Sequence, residues 1–85
     1  MAVAGTLQWA REELEDIQTI FANYEELADE MGTTTYAEMG REHLSELENR
    51  LEDVIEALNL HDADSALKEE ALELYYMIDS SKTLL

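Results

Sequence analysis

The sequence predicts an all-α fold: a small antiparallel three-helix bundle with coiled-coil-like packing. Three observations carry that expectation. Apolar residues recur three and four positions apart over two long stretches and one shorter one, which lines one side of a helix. The stretches are separated by short segments of helix-stopping and helix-starting residues, and short connections make neighbouring helices antiparallel. Proline is absent from all 85 residues, so no ring interrupts a helix.

The first helix is expected over 6–31. Leu7, Ala10, Leu14, Ile17, Phe21, Tyr24, Ala28 and Met31 form its seam, and Ile20 and Leu27 widen the stripe as packing against two neighbours requires. Gly32 supplies a C′ stop, and Thr33, Thr34 and Thr35 make the turn. The second helix, 35–58, opens on Thr35-Tyr36-Ala37-Glu38, a capping-box pattern. Its seam is Ala37, Gly40, Leu44, Leu47, Leu51, Val54 and Leu58, and the small residues at its start predict close approach of a neighbour near Gly40. Asn59 is read as its end. The run His61-Asp62-Ala63-Asp64-Ser65 offers N-caps for a third helix, 63–80, with Leu67, Ala71, Leu74 and Ile78 inward and fraying expected after Ser80. The rival architecture is a helical hairpin that completes its core by dimerising.

Residues 1–85 have room for a single domain with one core. A hydrophobic content of 46% argues against disorder. Absence of cysteine excludes disulfides and thiolate chemistry and fits a reducing, cytoplasmic setting. No apolar run approaches a membrane span, and MAVAGTLQWA carries no positive residue before its apolar ones, as a secretory signal would.

Charge is the unusual feature. Five basic residues face 21 acidic ones, a net −16. Such a polyanion is repelled by nucleic acid and by anionic lipid and attracted to basic protein surfaces. Glu38, Glu42 and Glu46 follow one another at i, i+4, and so do Glu48, Glu52 and Glu56. Like charges at that spacing destabilise a helix by roughly 0.2–0.5 kcal/mol per pair. Carboxylates four residues apart advance roughly 6 Å along the axis, a pitch comparable to that of phosphates along a nucleic-acid strand. The bases are expected to be engaged locally, Arg50 with Glu46, Lys68 with Asp64 and Arg41 with Glu38, leaving no basic patch for DNA or RNA.

Nothing points to catalysis, a cofactor or a metal. His43 lies beside Glu42 and Glu46 at the edge of a seam, but a metal centre in a bundle needs matching ligands on other helices. Asp62, Asp64 and Glu73 fit three positions of a calcium loop, yet Ala66 and Leu67 stand where a ligand and a glycine are needed. No serine or threonine has an evident base partner. Tyr75 and Tyr76 are adjacent, hence about 100° apart on a helix, and at least one should be exposed as an interface anchor.

In size, acidity and helical pattern the chain resembles small phage and plasmid inhibitors that imitate DNA, among them anti-restriction and anti-CRISPR proteins. The likeness is one of composition over the whole chain and rests on no motif. It implies an inhibitor that occupies the basic groove of a nucleic-acid-binding protein; the i, i+4 succession, not the likeness, assigns the phosphate-like charge to Glu38, Glu42, Glu46, Glu48, Glu52 and Glu56. The competing readings are a helical adaptor, antitoxin-like or assembly protein that binds through an apolar helix face, and adaptation of the surface to high salt.

Overall fold

The computed structural model describes residues 3–83. It is an all-α bundle of α1 (Leu7–Met31), α2 (Thr35–Met39), α3 (Arg41–Leu60) and α4 (Ser65–Thr83). Cross-helix contacts give the register. Tyr24 meets His43, Glu13 and Asp16 meet Arg50, and Gly5 meets His61, so α3 runs antiparallel to α1. Glu52 meets Tyr75 and Glu48 meets Lys82, so α4 runs antiparallel to α3. Gln18 of α1 donates to Glu70 of α4 at 2.9 Å across the third side. One core cluster forms within the chain from residues of all three long helices. With α1 at 25 residues, or roughly 38 Å at 1.5 Å each, the molecule is elongated, 40 × 24 × 21 Å.

The middle helix α3 buries the most. Leu44, Leu47, Leu51, Val54, Ala57 and Leu58 lie between Ala10, Leu14, Ile17 and Phe21 of α1 and Ala71, Leu74 and Ile78 of α4. Apart from Ala57, which the sequence reading did not place there, their alternation at three and four residues is the seam read in the sequence.

The expected second helix is two helices. It breaks at Gly40, whose φ of 84° and ψ of 153° suit glycine almost alone. No neighbour lies within 4 Å of where a Cβ would stand, so the glycine serves the backbone and not a close approach. Its carbonyl accepts the first α3 amide, from Leu44, and its own N–H closes α2 on Tyr36. The break shifts the helical phase. Ala37, expected in the seam, is exposed, and Met39 enters the core instead. The cap also moves by one residue: Thr34, not Thr35, accepts from the Ala37 amide at 3.1 Å, while Thr33 donates to Glu38.

Both long helices before the last connection end in the same motif. After α1, Thr33 N–H reaches Ala28 O and Gly32 N–H reaches Asp29 O, with Gly32 left-handed. After α3, Ala63 N–H reaches Leu58 O and Asp62 N–H reaches Asn59 O, with Asp62 at φ 49° in the position that glycine holds in the first. The helix thus runs past Asn59 to Leu60. An L-residue in this region carries a steric cost that glycine lacks. Asp62→Gly should therefore raise unfolding free energy by about 0.5–1 kcal/mol in urea denaturation. A loss instead would mean that the fully exposed Asp62 carboxylate, 3.7 Å from Lys68, matters more than its backbone. At the far end α4 continues through 83 rather than fraying after Ser80, its last turn held by the Lys82–Glu48 pair at 3.1 Å.

Candidate functional site

Helix geometry decides which carboxylates share a face. A step of four residues turns 400°, leaving a drift of about 40° per step, whereas alternate steps of four and three stay on one side. The row Glu48, Glu52, Glu56 shows the drift. Glu48 is turned toward α4, its side chain largely buried; one oxygen meets Lys82 and the other is buried without a hydrogen-bond partner. Glu52 is exposed but accepts from the Tyr75 hydroxyl at 3.2 Å. Glu56 reaches the outer surface.

The row Glu38, Glu42, Glu46 is interrupted by the break at Gly40. Glu38 belongs to α2, half-buried and tied to Thr33, so only Glu42 and Glu46 lie in line on α3. The face that remains is Glu42, Glu46, Asn49, Asp53 and Glu56, spaced alternately four and three apart and all exposed. It extends roughly 21 Å along the axis. None of its four carboxylates has an ion-pair or hydrogen-bond partner among the described residues. Asp53 was missed in the sequence; the signal that finds it is the same heptad alternation as the core seam, read on the opposite side.

Beside this face α1 adds exposed Glu12, Glu15 and Asp16 around Thr19. Arg50 lies between the two helices. Its Nε and Nη2 donate to the Glu13 carboxylate at 3.0 and 2.8 Å, and Nη2 also donates to Asp16 at 2.8 Å. The bond to Glu13 first, then that to Asp16, raise the guanidinium pKa against the opposing effect of partial burial. The local partners expected for the bases are thus replaced: Arg50 crosses to α1 instead of pairing with Glu46, Lys68 faces Asp62 instead of Asp64, and Arg41 pairs with no acid among the described residues.

On α4, Tyr76 is 64% exposed, and Leu72 and Met77 are also exposed. Tyr75 is half-buried, edge-on to Tyr76 at 6.2 Å. Its hydrogen bond to Glu52, then burial and nearby carboxylates, push its pKa up. His43 packs edge-on to Tyr24 at 5.4 Å, and His61 Nε2–H donates to Gly5 O at 2.6 Å. Among the described residues no three His, Asp or Glu side chains converge as metal ligands would, and no helix is long and apolar enough to cross a membrane.

The chain matches no protein-family model, no curated protein and no solved structure.

Proposed function

We propose that this protein is a non-catalytic inhibitor that imitates nucleic-acid charge, of the anti-restriction or anti-CRISPR kind, and occupies a Lys/Arg-lined groove of a nucleic-acid-binding protein. The observation that carries the reading is the outer face of α3. Glu42, Glu46, Asp53 and Glu56 stand in line, exposed and unpaired among the described residues, although the chain has cations elsewhere. Solubility needs charge but not its alignment on one helix face. Alignment does serve recognition, because complementary rows of opposite charge steer encounter and fix register.

The test is binding to a target captured from the native host, followed across roughly 50–500 mM NaCl, over which the screening length falls from about 14 to about 4 Å. The parent should bind progressively more weakly as salt rises and should displace the target's nucleic acid. Changing Glu42 and Glu46 to Gln, Asp53 to Asn and Glu56 to Gln together should weaken binding by more than about tenfold, or about 1.4 kcal/mol, and flatten the salt dependence. Equal affinity of parent and variant would sink the reading. It would favour an adaptor that binds through Leu72, Tyr76 and Met77, the apolar residues that α4 exposes.

A further inference from the structure

Between the start of α1 and the end of α3 lies an open hollow of about 360 Å³, within the roughly 300–1,000 Å³ typical of ligand pockets. Half-buried Trp9 forms one wall, and Ala57 and Leu60 another. Asp53 and Glu56, three residues apart on α3, also line it. Gly5 closes the remaining edge, where its carbonyl is fixed by His61 and the following Thr6 caps α1 through the Trp9 amide. One contact, His61 to Gly5, thus ties the segment before α1 to the end of α3 beside the hollow. Leu60 is 77% exposed, and neither carboxylate has a partner among the described residues.

These walls select a chemistry. An anion would meet two carboxylates, and a wholly apolar group would bury them unpaired. A cation on an apolar stem satisfies indole, carboxylates and aliphatic wall together.

We propose that this hollow receives an arginine side chain of the partner protein, its guanidinium against Trp9 and forked onto Asp53 and Glu56, its methylenes along Ala57 and Leu60. Arginine fits better than lysine because its planar, weakly hydrated head stacks on an indole and spans two acceptors at once. The proposal rests on the charge-mimic reading and deepens it. Asp53 and Glu56 end the exposed α3 face, so a basic groove laid along that face reaches Trp9 at its end.

The experiment titrates the isotope-labelled protein, observed by NMR, with blocked Gly-Arg-Gly, Gly-Lys-Gly and Gly-citrulline-Gly peptides. The arginine peptide should shift the Trp9 indole N–H and the Asp53, Glu56 and Leu60 amides saturably. It should bind at least about threefold more tightly than the lysine peptide, and the neutral citrulline peptide should leave them unmoved. Asp53→Asn with Glu56→Gln, both exposed and so harmless to the core, should abolish the response. Glu42→Gln with Glu46→Gln should preserve it. Equal, diffuse shifts from arginine and lysine with Trp9 unmoved would overturn the site. If the target's binding still weakened with salt and with loss of Glu42 and Glu46, the charge-mimic reading would survive that failure. Conversely, a saturable arginine response at Trp9 beside salt-insensitive target binding supports the hollow and removes the mimic.

Discussion

Leu51→Ala should cost about 2–5 kcal/mol and lower the melting temperature by more than about 10 °C. Leu51 has no exposed surface and sits at the middle of the middle helix, between the apolar stripes of α1 and α4. Removing its isobutyl group takes contacts from both neighbours at once. The long helices on either side are tied at both ends, so collapse into the space is restricted. A domain of 85 residues has an unfolding free energy of only roughly 4–13 kcal/mol at 0.05–0.15 per residue. The substitution therefore removes a large part of it. Circular dichroism melts check this, and a shift of a degree or two would show that Leu51 is outside the load of the core.

The seam was readable because burial imposes a period. From Ala10 to Phe21 and from Leu44 to Leu58, each position named by the three-and-four alternation is buried. The same rule failed at the start of the second helix, where Ala37 and Gly40 carried the period through a glycine whose backbone is not helical. Small residues satisfy a seam pattern without demonstrating burial, so the pattern had no power to detect the break. The end of α3 failed for a related reason. Asn59 and Asp62 are both plausible stops, and the choice depends on which backbone amides reach back to Leu58 and Asn59.

The acidic face was half readable. Glu42, Glu46 and Glu56 are on it, but Glu38 is beyond the break, and Glu48 and Glu52 have drifted toward α4, where Lys82 and Tyr75 meet them. A run at i, i+4 is easy to see in a sequence and describes a spiral rather than a line. Ion pairing was harder still. Within one helix Glu46 and Arg50 have the favoured spacing, yet Glu13 offers Arg50 a two-pronged contact across the groove, and that contact wins. Partners 37 residues apart follow only once the register of two helices is known.

Arg50→Met should destabilise the domain by about 2 kcal/mol and do so most at low salt. Methionine keeps an apolar stem in the groove between α1 and α3, so the loss reports the charged head rather than packing. The main contribution is the fork onto Glu13, where both partners are less than a third exposed. The Asp16 contact adds little, because that carboxylate is 58% exposed and well screened. Without Arg50 the half-buried Glu13 lacks its counterion, and the net charge passes from −16 to −17. Both effects are repulsive, so 1 M NaCl, with a screening length of about 3 Å, should restore more stability to the variant than to the parent. Glu13→Gln supplies the control. Alone it should destabilise by removing one side of the fork, whereas on top of Arg50→Met it should be neutral or stabilising, since it relieves an uncompensated charge. A double-mutant cycle in urea gives the coupling directly. Additive effects would mean that the fork contributes nothing beyond two independent surface charges, and that the apolar seam and the contacts of Tyr24 with His43 and Gly5 with His61 hold α1 and α3 in register without it.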